Sequence, residues 1–341
     1  MSLRSTTLIL AASLVLVTAV PFERVHKFEG QDCPLKAGGT GVCRKTIECV
    51  NGHTILKQER HCEFEGKTPV VCCPKAEYTV QASRVAADKC GKVPPHNGPK
   101  LTDHVVGKTF KAGVGDFPFI GILVYDEENL RCAGSLISSK FLLTAAHCFK
   151  SKPTAVRMGT ISATDALADS YPVANTFRHP DHNRKTKQND IGLVELRTEV
   201  QMSANVEPIC LHAELADLPA SANLTILGWG ITNLNRQETS DDLLTGLVHP
   251  VPRSSCQSMY NDWNLKITER QLCAIGEQDS MGEYTDACSG DSGGPLVMRK
   301  DKKYFLVGVV STGSGCGSGV PGVYTRVANY LQWTSERVWS A

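Results

Sequence analysis

Short apolar runs separated by turn residues dominate the chain from Val105 onward. The runs are rich in β-branched and aliphatic side chains and are bounded by Gly, Asn, Asp and Pro, as at residues 119–124, 224–227 and 305–310. Many short strands at such spacing are typical of a β-barrel or a β-sandwich. At the end of the chain the apolar spacing becomes helical, from Val327 to Trp333, which predicts one closing helix.

The amino-terminal residues 1–19 follow another pattern. Arg4 precedes a short apolar run at residues 8–17, and Val17, Thr18 and Ala19 offer small residues for cleavage. This order is typical of a signal peptide, and the run is too short to span a bilayer. An uncleaved anchor is the alternative interpretation. Since no later run reaches the length of a membrane span, we expect the mature chain to be soluble, secreted and extracellular.

Composition excludes two classes of partner. The chain has 36 Lys and Arg against 35 Asp and Glu, a formal net charge of +1. Such a balance provides no field that would attract nucleic acid or an anionic membrane. We therefore expect no nucleic acid and no membrane among the partners.

The 14 cysteines indicate disulfides, because a secreted chain matures in an oxidising compartment. A zinc site is the weaker alternative, since the chain has no Cys-x-x-Cys pair. Six cysteines lie within residues 33–73, a unit too small for a self-sufficient core, and spacing alone leaves 15 connectivities open for six cysteines. Residues 74–104, with Pro94, Pro95 and Pro99, predict an exposed linker.

Three motifs supply the groups that a serine nucleophile requires. His147 lies between small residues and a cysteine, Asp190 opens an apolar strand, and Ser292 lies in the glycine-rich turn Gly-Asp-Ser-Gly-Gly. A base beside a serine hydroxyl, oriented by a carboxylate, is the arrangement of nucleophilic hydrolysis. Each motif alone is common as plain structure. Their joint order of His, Asp and Ser, separated by roughly forty and then roughly a hundred residues, is the chymotrypsin order.

With these motifs in hand, residues 105–341 resemble a trypsin-family serine protease, and the whole chain resembles an arthropod CLIP-domain serine protease, nearest to the Persephone-like subfamily C. The resemblance implies an all-β fold with a two-barrel chymotrypsin-like domain, a C-terminal helix and a small disulfide-rich CLIP domain at residues 33–73. It implies that His147 is the general base, Asp190 its orienting acid and Ser292 the nucleophile, and that the backbone N–H groups of Gly290 and Ser292 form the oxyanion hole. It also implies all seven disulfides: Cys33–Cys72, Cys43–Cys62, Cys49–Cys73, Cys90–Cys210, Cys132–Cys148, Cys256–Cys273 and Cys288–Cys316.

The resemblance extends to substrate specificity. Asp286 lies six residues before Ser292, where the family has the floor of its primary pocket, and Gly313 and Gly322 match the small wall positions. An unpaired buried carboxylate is costly, so the pocket should favour Arg or Lys. The alternative is that Asp286 is a solvated loop charge.

Several positions depart from the family pattern. Thr312 stands in place of a substrate-platform tryptophan, Lys108 in place of a glycine, and His212 in place of a proline. Pro321 occupies a position linked to sodium binding in relatives that carry an aromatic residue there, so we expect no sodium dependence. Asp165 and Asp169 lie in a loop that binds calcium in some relatives, and for them the question stays open. No metal site and no cofactor are otherwise expected.

The resemblance also implies a zymogen. Cleavage between His104 and Val105 frees an α-amino group that pairs with Asp291 and shapes the oxyanion hole and the pocket. His104 is not a tryptic residue, so the activating protease should have non-tryptic specificity. The implied function is a cascade protease of innate immunity in haemolymph, in Toll-ligand processing or melanisation. Its substrate would be a downstream zymogen or cytokine precursor, and its inhibitor a serpin.

Two other functions compete with this one. A non-catalytic clip-domain cofactor is disfavoured because Ser292 is present, and a digestive trypsin is disfavoured by the amino-terminal domain and His104. Asn223 opens the Asn-Leu-Thr sequon and is a candidate glycosylation site.

Overall fold

The structure is a computed structural model, and it describes residues 32–34, 40–45, 62, 70–74, 90, 100–101, 108–127, 130–233 and 238–339. The described residues from Asp32 to Cys73 form one compact unit, and those from Pro74 onward form a second. The predicted signal peptide, Cys49, His104 and Val105 lie outside the described residues.

The first unit is a small sheet fastened by disulfides. Its three strands, in the order β1-β2-β3, are β1 (Asp32–Pro34), β2 (Thr40–Lys45) and β3 (Val70–Pro74). The disulfides Cys33–Cys72 and Cys43–Cys62 are both formed. Cys33, Cys43 and Cys72 are fully buried and make up its small core. Disulfides are the usual replacement for a hydrophobic core in a unit of this size.

The second unit contains two closed barrels and a few short elements. Its strands are β4 (Lys100–Leu101), β5 (Thr109–Lys111), β6 (Ile120–Val124), β7 (Cys132–Leu136), β8 (Phe141–Thr144), β9 (Ala155–Met158), β10 (Asp169–Arg178), β11 (Gly192–Leu196), β12 (Cys210–Leu211), β13 (Leu224–Gly228), β14 (Ile231–Asn233), β15 (Glu238–Thr239), β16 (Leu244–Val251), β17 (Gln271–Gly276), β18 (Pro295–Lys300), β19 (Lys303–Thr312) and β20 (Gly322–Arg326). Its α-helices are α1 (Arg253–Tyr260) and α2 (Leu331–Val338), and its 3₁₀ helices are Ala146–Lys150, Asn261–Trp263 and Val327–Tyr330.

Each barrel has six strands. The first closes in the order β10-β11-β8-β7-β6-β9. The second runs β13-β18-β19-β20-β17-β16 and closes because β13 also pairs with β16. Closure removes the unpaired edges of both sheets. The structure thus confirms the all-β, two-barrel expectation, and α2 provides the C-terminal helix.

The hydrophobic core lies on both faces of the first barrel's strands, because neighbouring residues of one strand are buried together. In the first barrel Leu142, Leu143 and Leu193 are fully buried, and the same apolar cluster continues through Trp229, Leu306 and Trp333 of the following segments. Burying aliphatic side chains supplies roughly 1.5–3 kcal/mol each, the main favourable contribution to such a fold. Among the described residues, no helix is long and apolar enough to cross a membrane.

Candidate active site

The histidine motif lies directly after β8. His147 occupies the 3₁₀ helix Ala146–Lys150, and its neighbours Ala145 and Ala146 are completely buried, which leaves no room for larger side chains. The Cys132–Cys148 disulfide fastens this helix to β7. Arg178 donates hydrogen bonds to the carbonyl oxygens of Ala146 and Phe149. The His147 backbone is therefore held from two sides, while its side chain stays partly exposed.

Asp190 lies just before β11, and its side chain is completely buried. Its Oδ2 accepts hydrogen bonds from His147 Nδ1 at 2.7 Å and from the Ser311 hydroxyl at 2.6 Å. Its Oδ1 accepts the His147 backbone N–H at 2.9 Å. Burial by itself would raise the pKa of Asp190, but these hydrogen bonds and the nearby His147 outweigh burial and hold the pKa below its usual value. An ionised carboxylate therefore orients the His147 ring.

Ser292 lies in a turn that only glycines allow. Gly290 has φ 105° and Gly293 has φ 74°, in the left-handed region. A Cβ on Gly293 would lie 2.1 Å from Thr144 Oγ1, so the turn packs against the end of β8. The Ser292 carbonyl oxygen accepts the Ala133 N–H at 2.9 Å. These contacts place the serine turn of the second barrel against the histidine segment of the first.

A cleft of about 290 Å³ extends from Ser292 to Asp286. One wall of the cleft is formed by the end of β19, at Ser311 and Thr312, and by Gly313, which follows the strand. A Cβ on Gly313 would meet nothing within 4 Å, so this side is open, whereas a Cβ on Gly322 would lie 2.7 Å from Asp286 Oδ1. The Cys288–Cys316 disulfide joins the serine segment to the opposite wall. The cleft is therefore acidic at its inner end, where Asp286 is buried.

Asp286 at that inner end is buried, and burial raises its pKa to about 8 although the Ala287 N–H donates to its Oδ1 at 2.8 Å. The ionised form of a buried carboxyl group without a cationic partner is strongly stabilised when a cation enters the cleft. The solvated-loop alternative for Asp286 does not fit a buried side chain.

Asp291 faces a different cavity. Its carboxylate accepts the N–H groups of Gly230 and Cys288, both at 2.8 Å, and burial raises its pKa to about 6. Beside it lies a cavity of about 30 Å³ that Thr109 and Gly228 also line. In the sequence, Thr109 follows Val105 by four residues.

The comparisons with known proteins agree with this geometry. The family model described as Trypsin matches residues 106–334. The chain belongs to the trypsin family of serine proteases. It is 33% identical to CLIP domain-containing serine protease C9 of Anopheles gambiae, over 92% of this chain and 87% of that protein. It is 33% identical to Melanization protease 1 of Drosophila melanogaster, over 78% and 73% of the two chains. It is 29% identical to Proclotting enzyme of Tachypleus tridentatus, over 91% and 90%.

The remaining disulfides of this trypsin-family chain fasten its elements: one reaches β12, and the other joins α1 to β17. Cys90–Cys210 and Cys256–Cys273 are formed, so the structure contains six of the seven expected pairs. The seventh, Cys49–Cys73, involves a cysteine outside the described residues. In the part of the chain that the structure describes, two groups of side chains lie close enough together to hold a metal ion: Cys33 with Cys43 and Cys62, and His147 with Cys132 and Cys148. All five cysteines are already bonded in disulfides.

Three of the positions that depart from the family pattern lie in different surroundings. The backbone N–H of Lys108 donates to Thr285 Oγ1, and its ammonium lies 2.7 Å from Glu277. His212 is buried, which lowers its pKa. The Pro321 carbonyl oxygen accepts the Tyr260 hydroxyl at 2.7 Å.

The calcium question concerns two carboxylates with different surroundings. Asp165 accepts hydrogen bonds from Thr160 Oγ1 and the Leu167 N–H, while Asp169 begins β10. Asn223 is exposed directly before β13, as a glycosylation site must be.

Three groups around Asp190 were not predicted from the sequence. Ser311 reaches it from β19, 121 residues away. Arg270 Nη1 donates to Asn189 Oδ1 at 3.0 Å and so braces the residue before Asp190. The side chain of His182 lies beside the Asp190 carboxylate. The sequence signal for polar surroundings here is the pair Asn189-Asp190 at the start of an apolar strand.

Proposed function

We propose that the chain is the zymogen of a secreted, trypsin-like serine endopeptidase. The observation that carries the proposal is the His147–Asp190 pair, joined by two hydrogen bonds, together with the glycine-rich Ser292 turn that packs against the same barrel. In this proposal Ser292 Oγ attacks the scissile carbonyl and His147 Nε2 takes its proton, then returns it to the leaving amine. Asp190 fixes the tautomer with the hydrogen on Nδ1 and stabilises the imidazolium.

The backbone N–H groups of Gly290 and Ser292 would stabilise the oxyanion. Removing one such donor costs on the order of 10²–10³ in rate. A substrate Arg or Lys enters the cleft between Gly313 and Gly322 and pairs with Asp286, which gives cleavage after basic residues. Apolar side chains would leave the buried carboxylate unpaired, so they are rejected.

Activation follows from the position of Asp291. Cleavage between His104 and Val105 creates an α-amino group only four residues before Thr109, which lines the cavity at Asp291. An ammonium in that cavity would pair with the carboxylate and offset its burial. The Asp291 N–H donates to Cys288 O, and Asp291 O accepts the Gly294 N–H, so a change at Asp291 is transmitted to both sides of Ser292.

The cascade role rests on the relatives. Proteins whose names refer to melanization and to clotting match most of this chain at 29–33% identity. We therefore propose that the protease acts outside the cell, activates a downstream zymogen or cytokine precursor, and is controlled by an upstream non-tryptic protease and a serpin. Innate immunity is the setting that fits such a role.

The test uses a zymogen that can be activated by a known protease. His104→Arg places a tryptic bond before Val105, and immobilised trypsin is removed after cleavage. The product should react with a fluorophosphonate probe and hydrolyse arginyl amide substrates. Ser292→Ala on the same background should lose both properties, with activity down by about 10⁶. Ser254→Ala, an exposed serine on α1, is the matched control. Equal labelling of the Ser292→Ala variant would contradict the assignment, and a cleaved chain with no labelling would favour the non-catalytic cofactor.

A further inference from the structure

A second histidine lies against the Asp190 carboxylate. His182 belongs to the connection between β10 and β11, where its backbone N–H donates to the His179 carbonyl oxygen at 3.0 Å and closes a turn. Its side chain is only 2% exposed, and its Nδ1 lies 3.7 Å from Asp190 Oδ1. Neither ring nitrogen makes a side-chain hydrogen bond of normal geometry. A buried titratable ring at this distance from Asp190 needs a physical explanation.

The carboxylate has room for a further interaction on this side. An ionised carboxylate offers about four lone-pair sites, and three donors already use it: two groups of His147 and the Ser311 hydroxyl. Two of these donors bind Oδ2 and one binds Oδ1. The ring of His182 faces Oδ1, the oxygen with the unused capacity.

The surroundings of His182 act on its pKa in opposite directions. Burial is the strongest influence and lowers its pKa, and the cationic Arg178 and the His147 ring act in the same direction. Asp190 and the backbone of Asn189 act against them. The net direction is downward, so His182 is neutral at neutral pH. A neutral imidazole beside a carboxylate adopts the tautomer with the hydrogen on the facing nitrogen, here Nδ1.

We propose that His182 is a positioning residue that extends proteolysis toward acidic pH by competing with His147 for the negative charge of Asp190. The proposal rests on the proposed function. The Nδ1–H dipole of neutral His182 offsets part of the negative charge of the Asp190 carboxylate. The carboxylate therefore stabilises the protonated form of His147 less. When His182 is itself protonated, its charge repels the proton on His147 directly. Both effects make Asp190 stabilise a protonated His147 ring less, so catalysis continues to lower pH, and the charges of the two rings are coupled through Asp190.

The kinetic test compares the activated protease with His182→Phe, which keeps an aromatic ring but has no nitrogen. The acid limb of the kcat/KM profile should move to higher pH by about half a unit or more, which is roughly a threefold loss at a fixed pH on that limb. His182→Asn places an amide donor near the former Nδ1 and should return the limb toward the original position. His249→Phe removes a half-buried histidine elsewhere, on β16, and should leave the limb unchanged. An unmoved acid limb in His182→Phe overturns the proposal.

A spectroscopic test separates this inference from the proposed function. The full chain carrying Ser292→Ala is labelled with ¹⁵N-histidine, and the two rings are followed by NMR as the pH is lowered. The His147 ring should titrate at lower pH with His182 present than in the His182→Phe background. This difference needs no catalysis, so it survives even if the chain were only a cofactor. If His182→Phe does not fold, the native ring pair is decisive: the His182 signals must shift where His147 titrates, and independent signals refute the coupling.

Discussion

Three aspartates around the cleft have the same side chain and different acidities. Hydrogen bonds and His147 keep the pKa of Asp190 low in spite of burial. Burial raises the pKa of Asp291 to about 6 and that of Asp286 to about 8. The difference lies in the partners: Asp190 has donors from His147 and Ser311, whereas Asp286 and Asp291 accept hydrogen bonds from backbone N–H groups. Groups so placed are ready to accept a cation.

The raised pKa of Asp286 predicts pH-dependent binding of basic ligands. A benzamidine cation prefers the ionised carboxylate, and below pH 8 most of Asp286 is protonated in the free protein. Affinity should therefore rise with pH, by up to about tenfold per unit, and level off above about pH 8. The measurement is calorimetry on the activated chain carrying Ser292→Ala. Adding Asp286→Asn should give weak binding that is flat over the same range, and a flat profile with Asp286 in place would contradict the prediction.

The sequence was sufficient for the residues with chemical motifs and insufficient for their neighbours. His147, Asp190 and Ser292 could be proposed because their three motifs occur together in the chymotrypsin order. Ser311 and His182 could not, because their contacts with Asp190 arise from the barrel fold. A serine in an apolar strand and a histidine in a polar loop resemble many residues that have no part in a site.

At the scale of elements, the loop before β11 is braced by the second barrel. Asn189 has φ 53° and is buried; its Oδ1 accepts hydrogen bonds from Arg270 and from the Tyr330 hydroxyl, and its Nδ2 donates to the Asp181 carbonyl oxygen. Arg270 directly precedes β17, and Tyr330 ends the 3₁₀ helix before α2. The position of Asp190 therefore depends on elements of both barrels.

This brace predicts a graded effect at Asn189. Asn189→Gly removes the acceptor but tolerates the left-handed backbone, and should cost about 1–3 kcal/mol. Asn189→Ala loses the acceptor and strains the backbone, so it should cost roughly 1–2 kcal/mol more. Melting temperatures of the zymogen should therefore fall in the order original, Gly, Ala, with reduced kcat in both variants after activation.

The matched control for Asn189 is Asn183, an exposed residue of the same loop. Its Oδ1 accepts only local hydrogen bonds from the Lys185 and Thr186 N–H groups. Asn183→Ala should change stability by less than about 1.5 kcal/mol. If Asn189→Ala and Asn189→Gly have the same melting temperature, and it is no lower than that of Asn183→Ala, the hydrogen bonds of Asn189 do not stabilise the loop as predicted.

Sequence patterns located the elements better than their ends. The run at residues 305–310 is part of β19, which extends to Lys303 and Thr312 because the flanking polar residues also pair with neighbouring strands. The helical spacing from Val327 is real, but its first turn is a 3₁₀ helix and α2 begins at Leu331. Apolar spacing cannot distinguish these two helices over a single turn, since their periods of 3.0 and 3.6 residues are close.

At the scale of the whole molecule, Cys90–Cys210 joins the chain across the proposed cleavage site. Cys90 precedes the bond between His104 and Val105, and Cys210 follows it. The activated protease should therefore migrate as one particle on a gel without reductant and as two pieces after reduction. The double variant Cys90→Ser with Cys210→Ser should give two pieces in both conditions. Two pieces from the unaltered chain without reductant would refute the tether.

The same scale governs how the zymogen is switched on. The pocket that ends in Asp286 requires a long cation, whereas the bond to be cut follows His104, a short side chain that is mostly neutral at pH 7 with its ordinary pKa of about 6.5. Lys100, the nearest basic residue before it, lies in β4 and pairs with Lys111 of β5. Cutting after Lys100 would also leave an amino terminus four residues too early for the cavity at Asp291.

We therefore predict that the protease does not activate itself. The substrate is the zymogen carrying Ser292→Ala, which cannot cut, and a trace of activated enzyme is added at neutral pH. Sequencing of new amino termini should find none that begins Val105-Val106-Gly107-Lys108. The same zymogen with His104→Arg should be cut there by trypsin and by the enzyme itself, because arginine supplies the cation that Asp286 needs. Efficient appearance of the Val105 terminus from the His104 zymogen would show that the pocket accepts histidine, and the need for a separate non-tryptic activator would disappear with it.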